Sequence, residues 1–415
     1  MIANFWHWLT RPRGHVPHRF HGVARDRKSE SGIALLMAIT TIAFMTVLVT
    51  EINYAARVRL LMSAHARDEA IAEGLARSGA NLYRLILMAD KEITSSLSQF
   101  MPSMNLSLWE MIPMINTGLL RLMFAGNGSA DRDELETFAQ TGQVSEQVRE
   151  ESMAAGHFND RNFLEFDGDF FAEVSDEDSR VNVNMLGMSC GGPCTFAQLR
   201  EDPIALVLYG LMSGQENDQW FYERSLDRWE LIANLADWID ADTTRCAPQG
   251  GNEDNLYNRF DPPYLSKNAQ FRTKDEIRLV EGWQDEVFER FGDKITIWSD
   301  KINVNTASDE MLCGLIRSLM ANPPVDEECK NWLDAINTER MGMPYTKESE
   351  FIQQLKDRGA VDADKEALLT QRLKVRSSLF RVESVGQVGD TTTTITAIYD
   401  FSSGSKGRIR YWRVE

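Results

Sequence analysis

The longest apolar run in the chain begins directly after Gly32 and ends at Thr50, 18 residues without a charge. As a helix it would measure about 27 Å, enough to cross the hydrocarbon of a bilayer. The flank ahead of it carries Arg11, Arg13, Arg19, Arg25, Arg27 and Lys28. That asymmetry predicts that residues 1–32 stay cytoplasmic and that the chain beyond Glu51 is exported. No proline interrupts the next stretch, which is rich in Ala, Leu and Arg as far as Leu87. One continuous helix is therefore expected over 33–90.

The texture then changes. Residues 91–130 hold Met101, Met104, Met111, Met114 and Met123 among Leu, Ile, Phe and Trp109, and are broken by Pro102 and Pro113. They read as a packed helical insertion rather than a second membrane span, and 91–160 as that insertion with a polar linker. Between Phe163 and Asn184 apolar residues alternate around Asp167-Gly168, which predicts a β-hairpin and the first part of a sheet over 161–185. From 186 to 376 the period is helical, in segments starting at Pro203, Arg228, Thr273, Ala307 and Lys347. From 377 to 415 the stretches SLFRVESVGQVG, TTTTITAIYDF and GRIRYWRVE alternate again and are separated by glycine-containing turns, which predicts three strands. The expected fold class is α+β: a long N-terminal helix on an antiparallel sheet that is interrupted by a large inserted α-helical domain.

Composition narrows the chemistry. The chain is 43% hydrophobic and 26% charged, with 62 acidic against 44 basic residues and a net charge of −18. It is globular, and its charge opposes nucleic acid as a partner. INVNTASDEMLCGLI resembles the opening of a helix-hairpin-helix unit, with Asn305 or Thr306 near the N-cap and Asp309 and Glu310 in the first turn. The following RSLMANPPVDEE has prolines and acids and no glycine where phosphate would be met. A structural helical hairpin is expected there. No Ser-His-Asp elbow, phosphate loop or zinc spacing is present, and only His65 and His157 lie beyond the basic flank.

Five cysteines allow two disulfides in an oxidising compartment. Cys190 and Cys194 can close a small loop, Cys313 and Cys329 bracket the helical hairpin, and Cys246 is the odd thiol. Beside it, DWIDADTTRCAPQGGNEDNLYNRFD gathers Asp237, Asp240, Asp242, Glu253, Asp254 and Asp261. Spacing alone leaves this either a solvated acidic loop or a site for a hard cation such as Ca²⁺. For the latter, Gly250-Gly251 would turn the chain so that Glu253 and Asp254 meet Asp240 and Asp242. Asp237 is placed on the helix face, and Asp261 as a further ligand.

The Gly32–Ile33 boundary, with charge only upstream, resembles the prepilin peptidase site of type IV pilin-like proteins. That resemblance implies a cut between Gly32 and Ile33. Most such proteins have Glu at the fifth mature position, where Met37 stands here; the K-type minor pseudopilin of type II secretion typically lacks it. DSRVNVNML, ANLADWIDADTT, GGNEDNLY, PPYLSKNAQFRTKDEIRLVEG and KINVNTASDEMLCGL, in this order, resemble the same family, so that the likeness covers about 32–82 and 163–415. It implies a non-enzymatic subunit with a pilin-like domain and Ca²⁺ at Asp240, Asp242, Glu253 and Asp254. It also implies a single-pass inner-membrane anchor, a periplasmic body and a place at the pseudopilus tip. The expected partners are I- and J-type minor pseudopilins, prepilin peptidase, and secreted proteins or the outer-membrane secretin. The rival readings are a minor pilin of a competence or type IV pilus system, and a membrane-anchored hydrolase using the acidic loop.

Overall fold

The computed structural model describes residues 30–100, 107–124, 157–158, 161–162, 166–190, 194–320, 322–361 and 366–415. Residues 1–29 of the expected leader, and most of the expected linker, lie outside the described residues. The chain divides into two units, 1–66 and 67–415. Helix α1 runs from Glu30 to Phe100. In the first unit its apolar residues are exposed, and it is the one described helix long and apolar enough to cross a membrane. The hydroxyls of Thr40, Thr41, Thr46 and Thr50 all donate to carbonyls three or four residues back. Every polar side chain between Ile33 and Thr50 is thus satisfied within the helix, as hydrocarbon requires.

In the second unit, Ala72, Ala76, Ala80, Tyr83 and Leu87 repeat every three or four residues along α1 and are buried. They pack on a five-stranded antiparallel sheet. Its strands are β1 (Met114–Asn116), β2 (Asp169–Asp176), β3 (Leu379–Val388), β4 (Thr391–Asp400) and β5 (Arg408–Val414), side by side in chain order. Alternation sets the faces: Phe170, Ala172 and Val174 of β2 turn inward between exposed neighbours. At Gly386 a Cβ would lie 2.0 Å from the Ala72 carbonyl oxygen and 2.8 Å from the Ala76 nitrogen, so the helix backbone rests on a strand position where only glycine fits. Gly386→Ala should cost about 1–3 kcal/mol through overpacking. A lowered urea midpoint at unchanged slope would report it, and an unchanged midpoint would refute the close approach.

Two expectations need correction. Among the described residues none pairs with Asp169–Asp176 across Asp167-Gly168, and the expected first arm, 163–165, lies outside them. Strand β2 instead pairs with β3, Val174 opposite Val382, and with β1, Ile115 opposite Ala172. The described hairpin nearby is a small one, His157–Phe158 against Arg161–Asn162. The Met-rich stretch, expected to be helical, supplies β1 between the helices Leu108–Met111 and Thr117–Phe124. Three residues of strand are too short for a period of two to show.

Between β2 and β3 lies the helical insert, with its own core. It contains α2 (Pro203–Leu211), α3 (Gln215–Arg224), α4 (Arg228–Ile239), α5 (Asp285–Phe291), α6 (Asp309–Ser318), α7 (Asp326–Gly342) and α8 (Glu348–Asp357). The segment starting at Thr273 forms a 3₁₀ helix, Lys274–Leu279. Ser308, rather than Asn305 or Thr306, caps α6, accepting from the Met311 N–H. Asp309 and Glu310 occupy its first turn. Asn305 is drawn off to Tyr345 and Val375, and the Thr306 hydroxyl to Asp176. Cys313 of α6 is disulfide-bonded to Cys329 of α7, and Cys190 to Cys194.

The insert is tied to the sheet by three consecutive buried acids at the end of β2. Asp176 accepts from Asn303 (3.1 Å), Ser377 (2.6 Å) and Thr306. Glu177 accepts from Arg381 (3.0 Å), Thr296 (2.7 Å) and Arg180. Asp178 accepts from Ser299 (2.6 Å) and the Ser378 and Leu379 N–H groups (2.6 and 3.0 Å), and Lys374 adds an ion pair at 2.6 Å. Burial pushes Asp176 up to about 6, with the Asp178 charge adding to it. Burial also raises Glu177, but the Arg381 and Arg180 guanidiniums outweigh it and hold Glu177 near 2.

Candidate metal centre

The acidic loop is built on the end of α4. From Leu231 to Trp238 every residue of this helix is buried, so it has no solvated face. Asp237, in its last turn, is only 2% exposed, and its Oδ1 accepts from the Cys246 N–H (2.7 Å). Asp240 ends the helix and accepts from the Asp242 N–H (3.3 Å), and Asp242 accepts from the Thr244 N–H (2.6 Å). Two successive Asx turns thus bend the chain away from the helix. It returns as a narrow ribbon in which Thr244 bridges Asn252, the Arg245 N–H donates to Gly251 (3.0 Å), and the Glu253 N–H donates to Thr243 (3.2 Å). The turn at its tip uses Gly250 and Gly251 at φ +59° and +117°, conformations that glycine adopts freely.

The ribbon brings the Glu253 carboxylate to those of Asp237 and Asp240, one oxygen from each lying within 4.8 Å of the others. Glu253 is fully buried. Five buried oxygens here lack a hydrogen-bond donor: Asp237 Oδ2, Asp242 Oδ2, both carboxylate oxygens of Glu253, and Asn268 Oδ1. The Asn268 amide donates to the Asp242 carbonyl. Trp238, Tyr257 and Tyr264 pack together alongside, with ring centroids 5.2–5.3 Å apart for Trp238–Tyr257 and Tyr257–Tyr264, and lower the local dielectric.

Glu253, Asp237 and Asp240 resist ionisation. Burial, then Asp237 and Asp240, pushes Glu253 up to about 8. Burial, partly offset by the Cys246 N–H and reinforced by Asp240, lifts Asp237 to about 7. Burial and Asp242 lift Asp240 to about 6. The Cys246 thiol, buried among the same acids, is pushed up to about 12 and stays protonated. The donor set is therefore oxygen alone, several of its members carboxylates, without imidazole or thiolate. Such a set fits a hard cation of the Ca²⁺ kind, which takes six to eight oxygens from a bent loop.

Of the sequence-predicted ligands, the structure brings Asp240 and Glu253 together and leaves Asp242 with a buried unpartnered oxygen beside them. Asp254 opens a separate helical turn, and its Oδ1 accepts from the Ser266 N–H (3.1 Å). Asp261 is exposed. Asp237, placed on the helix face, joins the cluster instead, because α4 is buried all round from Leu231 to Trp238. Its spacing of three residues from Asp240 was the available signal, since i and i+3 share a helix face. Gly32, Ile33 and Met37 are exposed positions of α1. The Met37 carbonyl accepts from the Thr40 and Thr41 hydroxyls (3.0 and 2.7 Å).

Residues 179–300, which include this centre, match the family described as Type II secretion system (T2SS), protein K. The type II secretion system protein K of Aeromonas hydrophila is similar at 23% identity over 236 residues, 56% of this chain and 67% of that protein. Its namesake in Klebsiella pneumoniae is 27% identical over 149 residues, 35% of this chain and 42% of the relative. That of Pectobacterium carotovorum subsp. carotovorum is 24% identical over 230 residues, 54% and 63%. The matched stretches thus span from under half to two thirds of these relatives. A chain in the crystal structure of the GspK-GspI-GspJ complex from the enterotoxigenic Escherichia coli type 2 secretion system is similar with a TM-score of 0.41 and 16% identity, over 60% of this chain and 80% of that one.

Proposed function

We propose that this chain belongs to the type II secretion system protein K family and is the minor pseudopilin at the tip of the type II secretion pseudopilus. The observation that carries the reading is the family match over 179–300, which falls on the insert rather than on the generic helix and sheet. It is a structural component and not an enzyme. In this reading α1 holds the subunit in the inner membrane until assembly, and residues 67–415 lie in the periplasm. Met37 supports the tip position. A Glu there would be an unpaired charge in the apolar filament core unless a neighbour's terminal amine met it, and a subunit with none ahead of it has no such amine to meet.

In the same reading Asp237, Asp240, Asp242 and Glu253 hold a structural Ca²⁺, supported by the unpartnered buried oxygens at the centre. The ion would neutralise anions that otherwise repel one another and so keep the ribbon 243–253 folded on α4. The protein partners would be I- and J-type minor pseudopilins, which accompany GspK in the complex from enterotoxigenic E. coli.

Co-expression of the full chain with prepilin peptidase and with I- and J-type partners tests the proposal. The expected product is a stable ternary complex in which intact mass places the new N-terminus at Ile33. Retention of residues 1–32, or a chain that leaves its partners on gel filtration, would overturn it. Loss of DNA uptake or twitching on deletion, with secretion intact, would instead point to a competence or type IV pilus subunit.

A further inference from the structure

The insert holds a cavity of about 330 Å³ at the meeting of α2, α6 and the segments 180–185 and 299–302. Val207, Ile302, Leu315 and Met185 are among its apolar walls. Its rim reverses the charge of the chain: Arg180, Arg200, Lys301 and Arg372 stand against Glu201 and Asp300, in a protein of net charge −18. Arg180 is engaged by Glu177, and Asp300 lies 3.9 Å from Lys374. Among the described residues no ion pair ties Arg200, Lys301 or Arg372. Arg200 rests over the Trp229 ring at 5.4 Å, and Arg372 reaches the Met185 sulfur at 3.7 Å. Both are steered by soft contacts and keep their charge available.

We propose that this cavity docks an acidic segment of a partner protein by one bulky apolar side chain, with flanking carboxylates on Arg200, Lys301 and Arg372. At about 330 Å³ the cavity is at the lower end for a ligand pocket and has room for one Phe, Leu or Met side chain with part of its flanking chain. An apolar anchor inside a charged rim is the arrangement in which one residue carries affinity while the rim sets specificity and association rate. The inference rests on the cavity alone. Loss of the segment's binding with the ternary complex intact would leave the proposed function standing, and the reverse result would leave the cavity's.

Random heptapeptides displayed on phage, panned against the full-length chain in detergent micelles, test it. The wild type should enrich peptides with one Phe, Leu or Met flanked by Asp or Glu. Val207→Trp, which fills the cavity, should weaken the enriched peptides at least tenfold. Lys301→Glu with Arg372→Glu should weaken them as much and turn the selection toward basic flanks; this rim pair carries the test if the filled variant does not fold. A selection that enriches no such pattern, or peptides that bind both variants as tightly as the wild type, would overturn the proposal. So would dodecanoate that displaces the peptides while acid-only peptides bind equally well, since the cavity would then belong to acyl chains.

Discussion

Glu177→Gln should lower the stability of the folded chain by about 3 kcal/mol, because it leaves two guanidiniums at a buried junction without their anion. The figure is at the low end for a broken buried pair, since the side chains of Arg180 and Arg381 keep 15% and 17% of their exposure. The sign of the pH dependence is fixed by the depressed acid. Glu177 in the fold titrates near 2 rather than 4.5, so its contribution is complete above pH 4.5 and is lost as pH falls through 2. Chemical unfolding of wild type and variant should therefore differ most near neutrality and converge toward pH 2. A gap that stays constant between pH 7 and pH 2 would show that the loss is one of packing. Adjacent Asp176 runs the other way: its folded value is raised, so its protonated form is favoured and its contribution declines as pH rises through about 6.

Removing calcium should lower the thermal midpoint of the wild type by about 3–5 °C, the shift expected from an ion held roughly a hundredfold above its dissociation constant in a body of this size. The more discriminating result lies in the variants. Asp240→Asn and Glu253→Gln should each abolish the calcium-dependent shift. Without calcium they should unfold no earlier than the wild type, because each removes an anion that the fold holds against its preference. Metal-free wild type should also lose stability as pH rises from about 4 through 8, because Asp240, Asp237 and Glu253 are raised to about 6, 7 and 8 and must give up protons in the fold. Calcium should flatten that decline. Differential scanning calorimetry across pH, with and without chelator, measures all three. Variants that unfold earlier than the wild type in chelator would mean that these carboxylates serve as hydrogen-bond acceptors rather than as ion ligands.

What could be read from the sequence was local. The apolar run, the three C-terminal strands and the insert's helices announce themselves by period, and the residues that build them lie close together in the chain. Asp240 and Glu253 were legible because one short ribbon joins them. Asp237 was not, since an acid in a helix suggests a wet face, and only the tertiary packing shows that α4 has none. The acids at the end of β2 were hidden for a different reason. Apart from Arg180, their partners at 296–306 and 374–381 lie more than a hundred positions away, and three charges in a row read as a solvated turn. Strand β1 was missed because Ile115 is buried by α1 and β2, not by any pattern of its own.

The place of the insert also governs the order in which the molecule can be assembled. Asp176 and Ser377, in hydrogen-bond contact, are 201 positions apart, and β2 lies directly against β3. Closing a loop of that length from a disordered chain costs about 5 kcal/mol of entropy, and contacts so distant in sequence form late. A compact insert, once folded, delivers its two ends side by side and removes most of that cost. Newly made chains should accordingly fold from the middle outward, with β2 lacking its β3 neighbour until the last forty residues arrive to complete the sheet.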